Sequence, residues 1–216
     1  DHLDIYGNEK NMQDAFIAFT GKIRKNGVLI HSKGLPRESE LQAPVTLSYS
    51  IGKNAADFVA EDIRIENGSY RFNVKSKHTT LSNLTLHMGG AHNIANITAA
   101  VAEALQVGIE EDKIKKAVES FKGVKRRFEY ILRNDAKVFI DDYAHHPQEL
   151  TALIQGAREL YPAKKITVVF QPHLYSRTKD LAAGFSGALD LADEVLLLPI
   201  YPARELPMEG VSSRMC

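Results

Sequence analysis

The sequence predicts an α/β fold laid out as two partial domains, and three observations carry that reading. From about Glu129 onward, apolar β-branched runs alternate with amphipathic stretches, the pattern of a parallel sheet covered by helices. Upstream of that point, five short strand-like runs precede two helical patterns, so the first part is organised differently. Two of the downstream strands end in dense groups of Asp, Tyr, His and Arg, and loops beyond the carboxyl ends of strands are where α/β sheets hold ligands.

Taken in order, Asn8 to Lys25 carries Met12, Ala15, Phe16, Phe19 and Ile23 at the spacing of a helix with one buried face, and Gly27 ends it. Val28 to His31, Val45 to Tyr49, Phe58 to Glu66, Tyr70 to Val74 and Thr79 to His87 are expected strands. Asn67-Gly68 supplies the tight turn that a hairpin requires. Residues 91 to 106, rich in alanine, and residues 111 to 120 are expected helices, the first buried on most sides. A basic run after Gly123 marks the domain boundary, giving domains of residues 1–124 and 125–216. Beyond it, Tyr130 to Leu132, Lys137 to Ile140, Ile166 to Phe170 and Glu194 to Leu198 are expected strands, with helices over Gln148 to Leu160 and Asp180 to Leu191. About three parallel strands plus one hairpin strand are fewer than the ~5 to 6 of an average sheet, so this second domain is expected to continue past Cys216.

Composition excludes several classes. With 216 residues and 44% apolar side chains the chain can bury real cores, and its 27 basic and 27 acidic residues leave no general electrostatic case for nucleic acid or an anionic membrane. The apolar runs fall far short of a bilayer span. A single cysteine, Cys216, rules out an internal disulfide framework and fits a reducing compartment. The start at Asp1, without Met or a signal-type segment, reads as a trimmed boundary.

Three runs carry the chemistry. Asp141-Asp142-Tyr143-Ala144-His145-His146-Pro147 crowds two carboxylates, a phenol and two imidazoles at a strand end, with Pro147 suited to the first turn of the next helix. Phe170-Gln171-Pro172-His173-Leu174-Tyr175-Ser176-Arg177-Thr178 repeats that arrangement at the next strand, which implies a shared cleft. Gly89-Gly90-Ala91-His92-Asn93-Ile94-Ala95-Asn96 opens a long helical pattern. The plain alternative at each place is structural: His146 and Tyr175 are assigned to ordinary satisfied structure, Asp141 to capping or bracing, and Asn93 and Asn96, three apart on one helix face, are open to capping.

Together these runs resemble the Mur ligases, the ATP-dependent peptidoglycan amino-acid ligases, and within them the members that join L-alanine to UDP-N-acetylmuramic acid. Asp1-His2-Leu3-Asp4, Lys125-Arg126-Arg127-Phe128-Glu129 and Tyr201-Pro202-Ala203-Arg204-Glu205 occur in family order, so the likeness spans nearly the whole chain. The resemblance implies the C-terminal half of a central ATP-binding domain, built on a mixed sheet with helices, followed by an incomplete Rossmann-like C-terminal domain that binds substrate. Two departures stand out: Leu174 occupies a position where many members carry Arg, and the 216 residues contain no Gly-x-Gly-Lys-Thr phosphate loop. The chain is therefore expected to be a fragment, inactive as a ligase by itself.

For the residues, the resemblance implies an ATP site of His92, Asn93, Asn96, Arg127 and Asp142, with Asp142 on the ribose hydroxyls. It implies a magnesium site at His2, where two neighbouring carboxylates suit a hard cation, although the same residues read equally as solvated charges. Tyr143, His145, His173 and Arg177 face the acceptor substrates UDP-N-acetylmuramic acid and L-alanine, and Arg127, His145 and Arg177 are the expected catalytic groups. Arg177 offers the planar fork that a carboxylate needs. Arg127 is favoured within its basic run because Phe128 should be anchored in a core; a solvated hinge is the bland alternative for that run. The implied setting is cytoplasmic cell-wall synthesis, and through it cell shape and division. Three other readings stay open: a muropeptide ligase that joins a tripeptide, a nucleotide-binding module without chemistry, and a metal-dependent hydrolase built on His145 and His146.

Overall fold

The computed structural model describes residues 3–52 and 55–216. They form two compact units. The first holds residues up to Arg64, Arg71–Thr85 and Ile94–Glu119; the second holds Ile65–Tyr70, Leu86–Asn93 and Ser120–Cys216.

In the first unit a short helix, α1 (Leu3–Tyr6), precedes α2 (Glu9–Thr20), whose N-cap Asn8 accepts the Asn11 N–H at 2.8 Å. The helix stops at Gly21, well before Gly27, and its buried positions are Ile17 and Thr20. Phe16 and Phe19 are 58% and 72% exposed, so the apolar stripe read from the sequence is not the face the helix buries. Thr20 turns inward because its hydroxyl donates to Ile17 O and accepts Gln42 N–H.

A five-stranded sheet follows in simple order: β1 (Val28–Ser32), β2 (Val45–Ile51), β3 (Phe58–Glu66), β4 (Ser69–Ser76) and β5 (Thr80–Leu86). β1, β2 and β3 pair in parallel. The β3–β4 turn is Asn67-Gly68, both at positive φ, as a two-residue hairpin turn demands. Phe58 and Ala60 on β3, and Phe72 and Val74 on β4, alternate into the core. α3 (Ala91–Gln106) buries a single face through Ile94, Thr98, Val101 and Ala102, which corrects the expectation of burial on most sides. Alanine marks helix propensity there rather than an interior position. α4 (Glu111–Ser120) buries Ile114 and Val118, one turn apart.

The second unit carries the alternating pattern: β6 (Glu129–Arg133), β7 (Val138–Asp141), α5 (Pro147–Leu160), β8 (Thr167–Phe170), α6 (Tyr175–Leu189) and β9 (Glu194–Leu197). β6 and β7 form an antiparallel ribbon, and β8 and β9 a parallel one. Among the described residues β7 and β8 are not paired with each other. Between them lies a groove of about 390 Å³ lined by five consecutive residues of each segment, 138–142 and 166–170, with Leu150, Leu153, Ile154 and Ala157 of α5 against it. A sheet face would present alternate residues, so this groove is bounded by strand edges. Leu150, Phe170, Phe185, Ala188 and Leu189 form the core joining α5, β8 and α6.

Candidate active site

The first arm of the site is the loop that leaves β7. Asp142 uses both oxygens to shape it: Oδ1 accepts Ala144 N–H at 2.8 Å, and Oδ2 accepts Phe128 N–H at 2.7 Å. Asp142, rather than Asp141, therefore does the bracing; Asp141 faces Arg126 Nε at 3.8 Å. Tyr143 N–H donates to Arg126 O, tying the loop to the basic run. His145 donates its backbone N–H to Glu149 Oε2 at 2.9 Å, and its Nδ1 lies 2.8 Å from Tyr143 O. Because a carbonyl only accepts, this geometry puts a proton on Nδ1 and directs Nε2 away from that bond. His146 turns the other way and caps α5 by accepting Gln148 N–H, as the capping reading expects.

The second arm leaves β8. Leu198 N–H to Phe170 O, Tyr201 N–H to Pro172 O and Leu174 N–H to Tyr201 O, all 2.8–2.9 Å, zip segment 170–174 to segment 198–201. The rings of His173 and Tyr201 stack at 5.5 Å and 20°. α6 begins at Tyr175, five residues before the sequence suggests, so Arg177 sits in its first turn.

Both arms line one cavity of about 510 Å³, with Asp142, Tyr143 and His145 on one side and Gln171, His173 and Tyr201 on the other. Arg126 also lines it, whereas Arg127 and Arg177 do not. Arg127 instead lies 3.8 Å from Glu149 Oε1, so this one carboxylate faces both Arg127 and His145. Sequence reading missed Tyr201 and Glu149 as site residues. Tyr201 was legible as the end of an apolar strand run one strand over from His173; Glu149, in the first turn of α5, carries the signal of an ordinary N-terminal acidic residue.

A third piece of the second unit is Leu86–Asn93. Its Gly89-Gly90 turn admits no side chain: a Cβ on Gly89 would stand 2.1 Å from the Phe128 ring, and Gly90, at φ +90°, would meet the His92 ring at 2.5 Å. Phe128 is 2% exposed, so it is anchored as expected, with its own backbone at φ +50°. Asn93 is buried and spends one donor on Gly89 O at 2.7 Å, so its amide braces the turn by donating to a carbonyl rather than capping a helix N–H. Asn96 is exposed and belongs to the first unit.

Electrostatics follow burial. Asp142 is raised above the usual carboxylate range by desolvation, against the pull of its two N–H donors and of Arg127. His92 is held low by desolvation first, with Arg127 adding to it and Asp142 and Glu149 opposing. His173 is also lowered by desolvation first and then by Arg177 and His145. Among the described residues no three His, Cys, Asp or Glu gather as a metal site. His2 lies outside the described residues.

Comparison with known proteins decides the family. Residues 1–104 match the Mur ligase middle domain, and residues 126–215 match the Mur ligase, glutamate ligase domain. The chain belongs to the Mur ligase family. It is 47% identical over 99% of its length to a UDP-N-acetylmuramate--L-alanine ligase of Christiangramia forsetii, covering 45% of that protein, and 44% identical over its whole length to one of Porphyromonas gingivalis, covering 47%. A crystal structure of the UDP-N-acetylmuramate-alanine ligase MurC from Thermotoga maritima superposes with a TM-score of 0.73 at 28% identity, over 93% of this chain and 44% of that one. The Mur ligase chain described here thus spans about half the length of the curated relatives it matches. A MurF ligase from Thermotoga maritima in complex with ADP shares the fold, with a TM-score of 0.73 at 20% identity.

Proposed function

We propose that these residues are part of an ATP-dependent ligase that joins L-alanine to the lactyl carboxylate of UDP-N-acetylmuramic acid, working in the cytoplasm on the precursors of peptidoglycan. The observation that carries it is a cavity onto which the two strand-end motifs converge, with Tyr143, His145, His173 and Tyr201 presented together. Residues 1–124 would be the ATP-binding part and residues 125–216 the substrate-binding part.

ATP would supply the γ-phosphoryl group that turns the lactyl carboxylate into an acyl phosphate, leaving ADP; attack of the alanine nitrogen would then expel phosphate, and magnesium would neutralise the phosphate charge. The residues fit the nucleotide. Asp142 accepts two backbone N–H groups, and a carboxylate has about four acceptor positions, so a ribose diol can still be held. His92, near the start of α3, feels the charges of Asp142 and Arg127, Asn93 follows it in the same turn, and Arg127 is held toward Glu149. Asn96 would add a contact to the base. Magnesium is assigned to His2 by resemblance alone. On the acceptor side, His145 presents Nε2 to take the proton that the alanine ammonium must lose before its nitrogen attacks the acyl carbon. Arg177 pairs its fork with a substrate carboxylate, and His173 and Tyr143 orient the acceptors by hydrogen bonding. Positioning and charge neutralisation, rather than a covalent nucleophile, would do the work.

The test is coupled phosphate release by the full-length ligase containing these residues. Release that requires both UDP-N-acetylmuramic acid and L-alanine is expected, with Arg177→Lys impaired and Arg177→Ala worse, because Lys keeps the charge but loses the paired geometry. Release that requires a tripeptide in place of L-alanine would move the assignment to a muropeptide ligase. ATP binding without release under either condition would leave a nucleotide-binding module.

A further inference from the structure

We propose that Glu205 is a positioning residue that sets the first turn of α6 and, through it, the aim of Arg177. This rests on the reading of Arg177 given above and deepens it. α6 starts without a cap of its own: the N-cap residue is Leu174, at φ +73°, and its side chain makes no capping bond. The first N–H groups of a helix need acceptors, and leaving one unpaired is costly. Glu205 supplies them from 29 residues away, accepting Ser176 N–H at 3.0 Å through Oε2 and the Ser176 hydroxyl through Oε1.

The carboxylate is well suited to the place. Its pKa is lowered, chiefly by the two Ser176 bonds, with Tyr175 N–H and Arg177 contributing after burial is set against them, so it is charged at neutral pH. A negative group at a helix N-terminus is favourable in its own right. Arg177 immediately follows Ser176, and the segment bearing Glu205 is registered on the segment bearing His173 by the bonds from Leu174 N–H to Tyr201 O and from Tyr201 N–H to Pro172 O. A turn closes the path: Glu205 N–H donates to Pro202 O, with Ala203 at φ +52°. The stacked His173–Tyr201 pair and the cap are therefore two ends of one clamp on the loop from Pro172 to Arg177.

The experiment is steady-state kinetics on the full-length ligase, measuring KM for ATP, L-alanine and UDP-N-acetylmuramic acid. Glu205→Ala is expected to raise the same acceptor KM that Arg177→Ala raises, by roughly ten- to a hundredfold, the scale of a small misplacement, with KM for ATP unchanged. The double variant should be no worse than Arg177→Ala alone, since a residue that acts through another has no separate effect once that partner is gone. Glu205→Gln should recover most of the loss: its amide oxygen still accepts Ser176 N–H, and its NH₂ can donate to the Ser176 hydroxyl. Ser176→Ala, which keeps one of the two bonds, should give a smaller rise in the same KM and serves if Glu205→Ala does not fold. Additive losses, a fall in Tm with every KM unchanged, or a Gln variant as poor as the Ala variant would overturn the proposal. If Arg177→Ala is itself normal, the acceptor role of Arg177 fails; if it is impaired while Glu205→Ala is normal, only the positioning role fails.

Discussion

Asp142 and Phe128 are joined by a 2.7 Å hydrogen bond from the Phe128 backbone N–H to Asp142 Oδ2, and that bond holds a residue at φ +50° whose ring closes over Gly89. A bulky residue in left-handed backbone is unfavourable and persists only when its surroundings over-determine it. Asp142→Ala removes the acceptor and leaves a buried N–H unpaired, which costs about 1 to 3 kcal/mol. The expected result is a lower urea midpoint at unchanged m-value. A midpoint equal to that of the parent chain would show that water replaces the carboxylate.

Acid sensitivity should appear close to neutrality. His92, His146 and His173 all have folded-state pKa values below the ordinary 6.5, desolvation being the largest cause at each. Below 6.5 the unfolded chain binds protons that the folded chain resists, so stability is present above that value and is lost as pH falls through the folded values. Tm is expected to drop between pH 7.5 and 5.5. His173→Asn should flatten part of that slope, and a slope identical in the variant would remove His173 from the account. Asp142, raised by burial, acts with the opposite sign: its contribution is present below the unfolded carboxylate value and is lost as pH rises through its folded one.

The two asparagines of α3 should separate. Asn93 is buried and holds Gly89 O, so Asn93→Ala is expected to cost about 1 to 2 kcal/mol of stability. Asn96 is exposed, and Asn96→Ala should stay within about 0.5 kcal/mol. In the full-length ligase Asn96→Ala should still raise KM for ATP roughly tenfold, the scale of ~1.4 kcal/mol. A level KM would remove Asn96 from the ATP site, and capping is no alternative, since a position inside α3 cannot cap that helix.

Gly156 is a backbone-on-backbone contact. A Cβ there would lie 2.6 Å from Gly90 N and 2.8 Å from Gly90 Cα, so α5 would have to move off the turn that precedes His92. Gly156→Ala usually helps a helix, but here overpacking of about 1 to 3 kcal/mol should exceed the propensity gain of roughly 1 kcal/mol. Net destabilisation in chemical unfolding is the expected outcome. A more stable variant would mean that the turn yields freely.

Much of this architecture is legible in local pattern. The Asn67-Gly68 turn, the start of α5 at Pro147, and the strands before both motifs all obey signals that lie within a few residues of them. The start of α6 does not. Its cap is Glu205, and a bond spanning 29 residues leaves no local trace, so the helix reads as beginning at Asp180. α2 fails for a different reason: periodicity finds an apolar stripe but does not say whether that stripe is covered, and Phe16 and Phe19 are both exposed members of it. In the site, His145 and His173 are conspicuous by residue type, whereas Glu149 is visible only once geometry shows that one carboxylate serves both Arg127 and His145.

The gap between β7 and β8 bears on how this chain behaves in a test tube. Unpaired strand edges are templates for other chains, and among the described residues two of them face each other across an apolar groove. Lys164 and Lys165 stand at the entrance to β8, engaged with Asp135 O and Glu194, and place charge where an incoming strand would begin to pair. Such lysines slow edge-to-edge association without abolishing it. Refolding at high concentration therefore sets intramolecular closure against intermolecular strand exchange, and the yield of monomer should depend on dilution and on salt, which screens the protecting charges.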